Sequence, residues 1–209
     1  MKPSKALLAC LLAAACQAPP PATVAPVTAA RAPGPAGPKN FAPQGAFALR
    51  NPGFELEAVA GGRCAKSWHC TMHADPNSFR FFLDESSVAG GRQAFCVEPV
   101  TKEPWALVTQ GILDRSLNGA RVRFTLAVRV DNVSGEGAGT WAQVALRSGR
   151  KPTFKEFAKG TRGWQDQSVE FEVADDAITV EVGAMLRGTG RACFDNARLE
   201  VLRPGKNPV

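Results

Sequence analysis

Val122, Phe124, Leu126, Val128 and Val130 alternate with Arg121, Arg123, Thr125, Ala127 and Arg129. A period of two over this stretch predicts a β-strand with one face in a core. The opposite face is basic and small. The same alternation recurs along the chain. Phe47 and Leu49 run into the turn Asn51-Pro52-Gly53, followed by Phe54-Glu55-Leu56. Residues 61–77 have no period and read as a loop pinned by cysteine. Ser78–Leu83 predicts a short aromatic strand, Ala94–Val97 a second, and Trp105–Ile112 a third. Asp131–Gly139 reads as a glycine-rich loop, and Trp141–Arg147 as a strand with Val144 and Leu146 inward. Lys151–Gly163 reads as a charged excursion with a helical turn near Phe154–Ala158. Val169, Phe171 and Val173 form one apolar stripe; Ile178, Val180, Val182, Ala184 and Leu186 form the next. Between them, Ala174-Asp175-Asp176-Ala177 suits a hairpin loop. Gly188-Thr189-Gly190 turns into a last strand, Ala192–Val201. Short strands, frequent turns and no long helix predict an all-β fold. The expected architecture is a two-sheet antiparallel β-sandwich, or jelly roll.

The ends of the chain read differently. Lys2 and Lys5 precede the apolar run Ala6–Ala15, which is too short to span a bilayer and has the make-up of a secretory signal. Cys16 follows Ala13-Ala14-Ala15 and resembles the lipidated cysteine of a bacterial lipobox. Residues 1–15 are therefore expected to be a signal peptide. Residues 16–44, rich in Pro and Ala, are expected to be a tether, lipidated at Cys16 if the chain is a lipoprotein. Residues 45–209 would then form the sandwich domain. Export places the protein on the outer membrane, in the periplasm or outside the cell. Membrane contact would come through the lipid anchor only.

The formal charge of +6 falls to +4 when Lys2 and Lys5 leave with the signal. An exported chain with that mild excess and no recognition motif is not a nucleic-acid partner, whereas anionic glycans or lipid headgroups suit it. Cys64, Cys70, Cys96 and Cys193 lie in the domain, an even number that predicts disulfides outside the cytosol. Four cysteines allow three connectivities. The favoured one closes a local loop by Cys64–Cys70 and ties an early strand to the last by Cys96–Cys193.

Asn51-Pro52-Gly53-Phe54-Glu55 resembles the opening strand of galactose-binding-like jelly rolls, with carbohydrate-binding module families four and nine the nearest comparison. Ala89-Gly90-Gly91, Gln110-Gly111-Ile112, Leu117-Asn118-Gly119 and Gly163-Trp164 follow in the order of that family. Phe194-Asp195-Asn196-Ala197-Arg198-Leu199-Glu200 resembles its closing strand. The likeness covers residues 45–202 and implies an exported, non-catalytic, carbohydrate-binding jelly roll. It also implies a structural calcium ion, with Glu55 and Asp195 at two ligand positions and Asp84 as a third.

Candidate chemistry follows from parity. Trp141 and Gln143 lie opposite Val144 and Leu146 in phase. With Arg123 and Arg129 they would line one polysaccharide-binding surface, an aromatic platform flanked by planar polar groups. Trp164 reads as a packing tryptophan, and Trp68 and Trp105 as loop tryptophans at a rim. In the expected hairpin Phe171 faces Val180, which sets Glu170 opposite Glu181. Such a pair needs an arginine, a cation or a shared proton, and it is also the one carboxylate pair that would serve a small glycoside hydrolase. His69 and His73 flank Cys70 with the spacing of zinc ligands on a helical turn. An envelope lipoprotein of the same fold that contacts a protein is the alternative to glycan binding.

Overall fold

The computed structural model describes residues 46–56 and 63–205. The leader, Cys16 and the tether lie outside the described residues. Nine antiparallel strands follow one another with a single 3-10 turn, Arg115–Leu117, among the described residues. They are β1 (Ala46–Phe47), β2 (His69–Met72), β3 (Phe79–Asp84), β4 (Ala94–Pro99), β5 (Ala106–Ile112), β6 (Arg121–Leu146), β7 (Thr153–Glu172), β8 (Ala177–Arg187) and β9 (Arg191–Arg203). The sandwich predicted from the sequence is the fold.

Strand β6 builds both layers. Its first half, to Asp131, pairs with β9; its second half, from Gly137, pairs with β8. Strand β7 accompanies it on the other side throughout. The first layer therefore runs β7–β6–β9–β4–β3, with β1 also on β9, and the second runs β7–β6–β8–β5–β2. The stretch Asp131–Gly139 is thus the bend of a continuous strand rather than a loop. Three register shifts against β7, between Val128 and Ala138, mark the bend. Gly137 sits at φ +116°, open to glycine and closed to most side chains. At Gly139 a Cβ would collide with the Gln167 side-chain oxygen and the Glu156 carbonyl of β7.

The segment Lys151–Gly163 also differs from expectation, since it is mostly strand β7 and carries no helical turn. Phe154 and Ala158 alternate inward in register with Ala142 and Ala138, so the local pattern satisfies a ladder instead of a helix. The β7–β8 hairpin does not form either. Phe171 pairs with Val122 and Val180 with Ile112 and Val144, because residues 173–176 carry the chain from one layer to the other. At the start of β8 a bulge turns Ile178 outward, where it is 50% exposed.

One core joins the layers. Val122, Phe124, Leu126, Val128 and Val130 meet Val108, Ala142, Val144, Val180, Val182 and Leu186. Burial of each such side chain contributes about 1.5–3 kcal/mol relative to exposure. Phe154 and Phe171, from the two halves of β7, stack at 4.8 Å and close one side. The disulfides are Cys64–Cys70 and Cys96–Cys193, the favoured connectivity, and the second bridges register neighbours on β4 and β9. Trp68 is a core residue: it stacks on Phe54 at 4.8 Å and its indole N–H donates to the Asn51 carbonyl.

Because Gly139 is where β6 and β7 approach most tightly, Gly139→Ala should destabilise the fold by about 2 kcal/mol or more. Urea denaturation of the variant checks this, and unchanged stability would show that the bend tolerates a side chain.

Candidate functional site

The outward faces of the two layers differ in kind. On the first layer nearly every charge has a partner. Glu170 accepts from Arg123 Nε at 2.9 Å and Nη2 at 2.5 Å, and from Arg121 Nη2 at 2.9 Å. The Arg123 bonds first, then Arg121, outweigh desolvation and hold the Glu170 carboxyl below its usual range. Arg203 pairs with Glu172 and Arg198 with Asp166, both at 2.6 Å. Arg80 and Arg191 flank the Phe82 ring and share Glu98.

Arg129 on the same face is bound into the structure. Its Nη2 donates to Asp84 Oδ2 at 2.7 Å and lies 3.3 Å from Cys193 Sγ, above the buried Cys96–Cys193 bridge. The Trp164 ring sits 5.6 Å from its guanidinium carbon, and the indole N–H donates to Ser87 Oγ. Trp164 is thereby a packing residue, as its sequence position implied. Segment 85–92 joins β3 to β4 across this end of the face.

That segment also meets the carboxylates expected to bind calcium. Asp195 is fully buried; its Oδ2 accepts from the Ala89 and Gly90 amides and its Oδ1 from the Asn196 amide. Burial first, with Glu55 nearby, raises its pKa against the effect of those amides. Glu55 Oε1 accepts from the Arg92 and Gln93 amides. Asp84 stands apart, held below its usual range by the Ser86 side chain and amide and by Arg129. Among the described residues the one close group of three potential ligands is Asp84 with Cys96 and Cys193, whose sulfurs are joined to each other. Calcium needs converging oxygen donors. Glu55 and Asp195 lie on either side of Gly53, whereas Asp84 is turned to Ser86 and Arg129 and does not join them. Nor do His69 and His73 make a zinc site, since β2 is a strand and Cys70 is bonded to Cys64.

The expected surface of Trp141, Arg123, Arg129 and Gln143 is divided by the bend in β6. Arg123 and Arg129 face outward on the first layer, Trp141 and Gln143 on the second. Trp141 lies between Lys155 of β7 and Gly183 of β8 and is only 6% exposed, which leaves no open ring for stacking. Glu181 is on this layer opposite Gly111 and Gln143, so it never meets Glu170 and the expected carboxylate pair does not form.

What the second layer does present is a row of half-buried apolar side chains. Leu107, Met185 and Phe157 stand side by side, with Gly139 between the last two. Thr109, Gln143 and Glu181 flank the row on one side. On the other lies Glu136, whose Oε1 is 3.1 Å from Arg187 Nη2 and whose Oε2 is 3.2 Å from Lys155 Nζ. The Lys155 ammonium also lies 5.1 Å from the Phe157 ring centre. Beyond Arg187 a cavity of about 710 Å³ opens between residues 99–104, Glu136 and the turn Arg187–Thr189. Trp105, at the entry to β5, is half-buried beside His73, whose Nδ1 lies 3.0 Å from Glu103 of the cavity wall. Phe157 and Glu136 escaped sequence reading because β7 and the bend read as loops, while Met185 lies on the outward parity of a strand that was read, with nothing in the sequence to show its neighbours.

No protein-family model and no curated protein matches the sequence. Solved structures do match in fold. The CBM22-1 xylan-binding domain of Paenibacillus barcinonensis Xyn10C superposes with a TM-score of 0.53 at 10% identity, over 72% of this chain and 92% of that one. A xylan-binding domain of carbohydrate-binding module family 22 gives 0.51 at 17% identity, over 73% and 97%. The C-terminal family 22 carbohydrate-binding module of Clostridium thermocellum Xyn10B gives 0.50 at 17% identity, over 72% and 90%. At these identities the likeness establishes the jelly-roll fold.

The depressed Glu170 pKa has a sign. Its ion pairs with Arg123 and Arg121 stabilise the fold above the ordinary carboxylate pKa of 4.5, and that contribution is lost as pH falls through the lower folded value. Glu170→Gln should therefore lower stability at pH 7 and flatten the loss of stability below pH of about 4.5. Urea midpoints across a pH series check this; an unchanged acid limb would assign the loss to other carboxylates.

Proposed function

We propose that this chain is a non-catalytic carbohydrate-binding module whose contact surface is the outward face of the second layer. The observation that carries the reading is the half-buried row Leu107–Met185–Phe157, edged by Gln143, Glu181, Lys155 and Arg187 and continuing into a cavity of about 710 Å³. A sugar ring has apolar C–H faces and an equatorial belt of hydroxyls. It needs an apolar strip beneath and planar or charged hydrogen-bonding groups at the side, as ligand sites generally do. The cavity lies within the usual size of such sites, roughly 300–1,000 Å³. The shared fold supports the same reading, since the matched domains are named as xylan-binding or carbohydrate-binding modules.

The first layer does not offer an equivalent surface. Its arginines are held by Glu170, Glu172, Asp166, Glu98 and Asp84, and segment 85–92 is bonded to it through Asp195. The glycan would reach the chain at the cell envelope. In this reading the leader exports the protein, a diacylglyceryl group on Cys16 anchors it, and the Pro/Ala-rich stretch holds the domain away from the membrane.

Affinity electrophoresis against xylan, galactan, cellulose and peptidoglycan tests the binding surface. At least one polysaccharide should retard the protein. Phe157→Ala and Gln143→Ala should each weaken retention by about tenfold, the scale of one lost ring contact or hydrogen bond. Arg123→Ala, on the other layer, should leave retention unchanged. A folded chain that binds no glycan would overturn the reading and favour a protein-contacting face. The anchor has its own measurement: metabolic labelling with palmitate should mark the protein and vanish in Cys16→Ala, and label retained in that variant would refute lipidation at Cys16.

A further inference from the structure

Glu136 bridges two cations on the proposed surface. It stands at the bend of β6, 49% exposed, and each of its carboxylate oxygens meets a different cation: Oε1 meets Arg187 Nη2 at 3.1 Å and Oε2 meets Lys155 Nζ at 3.2 Å. Arg187 is 36% and Lys155 47% exposed. Arg187 and Glu136 also line the cavity wall together with Lys102. Glu103, the other acid there, lies within hydrogen-bond distance of His73 Nδ1. Along the cavity wall Lys102 and Arg187 match Glu103 and Glu136 in number, and Lys155, outside the wall, adds a third cation that converges with Arg187 on Glu136.

We infer that the ligand is an acidic polysaccharide, and that a uronate carboxylate binds between Arg187 and Lys155 by displacing Glu136. The inference rests on the glycan-binding reading above and narrows its substrate class. Ion pairs this exposed contribute little to stability, so Glu136 gives up its place at low cost. A sugar carboxylate has the same two oxygens at the same separation and receives the same charge-assisted bonds. The sugar ring then lies over Phe157 and Met185, and the next residue of the polymer enters the cavity, where Lys102 offers a third cation. No covalent step is involved. In the free protein Glu136 holds the two cations in position, so the site keeps its arrangement without ligand.

The test is affinity electrophoresis of the full chain in gels with polygalacturonate, alginate, heparin or neutral xylan. The wild type should be retarded most by the polyuronates. Glu136→Gln removes the competing charge and should tighten binding to polygalacturonate about three- to tenfold. Arg187→Ala should weaken it by at least about tenfold, and Arg187→Lys by less, with melting temperatures showing that both variants fold. Binding to neutral xylan should change by less than about twofold in Glu136→Gln, and Arg187→Ala should weaken polygalacturonate binding by a larger factor than xylan binding. Retention by xylan with none by polyuronates would overturn the acidic-ligand inference and leave the glycan-binding reading standing. Retention by no polysaccharide would remove both. Retention by heparin alone would replace carboxylate by sulfate, and Glu136→Gln binding no more tightly than wild type would refute displacement.

Discussion

Everything in this fold depends on one long ribbon, β6 with β7, being able to bend. A strand of 26 residues cannot lie flat in one layer of so small a domain. The ribbon passes from the first layer to the second between Val130 and Ala138, where register shifts absorb the turn. Gly137 supplies the backbone conformation and Gly139 the close approach to Glu156 and Gln167. Inside the bend the buried Gln167 side chain accepts the Thr140 amide, so the polar backbone exposed by the irregularity is satisfied. Without the bend the alternating apolar stripes of β6 would face one sheet only, and the stripe of β8 would lack a layer to close against.

The bend also decides which charges can meet. Alternation puts Arg121, Arg123 and Arg129 outward on the first layer, where β7 and β9 bring acids to the first two and β3 brings Asp84 to the third. Each of these exposed pairs contributes little by itself. Together they leave that face with few groups free for a ligand. At its far end Arg129, Asp84 and Trp164 lie over the Cys96–Cys193 bridge, which closes a loop of 97 residues and in the chain-entropy model contributes about 4–5 kcal/mol. Segment 85–92 is held there by the buried Asp195 and the half-buried Glu55, which accept its backbone amides.

The second layer is less saturated because glycine takes up much of its outward face. Gly139, Gly183 and Gly111 have no side chains to fill the surface beside Phe157, Met185, Trp141 and Glu181. A strip of half-buried apolar side chains results, with polar side chains at its margins. Glu136, Arg187 and Lys155 gather at one end because the bend of β6, the end of β8 and β7 converge there.

Much of the fold was legible in the sequence. Alternation identified the first half of β6 and the strand that begins at Trp141, and short apolar runs set between turns marked β3, β4, β5 and β9. Cysteine parity led to the observed disulfides, and the absence of helical periodicity led to the sandwich. The bend and β7 were misread for a physical reason: glycines, bulges and charged outward positions have the composition of a loop, and only pairing with a distant strand makes them a ladder. The β7–β8 hairpin failed for a related reason, since two stripes that match in register can equally face each other across a core. The sequence by itself determined which side chains point inward and which outward, because that follows from local geometry. The tertiary structure decided which outward side chains share a face. That choice rests on strand order and on the position of the bend, and it separates Trp141 and Gln143 from Arg123 and Arg129 while bringing Glu136, Arg187 and Lys155 together.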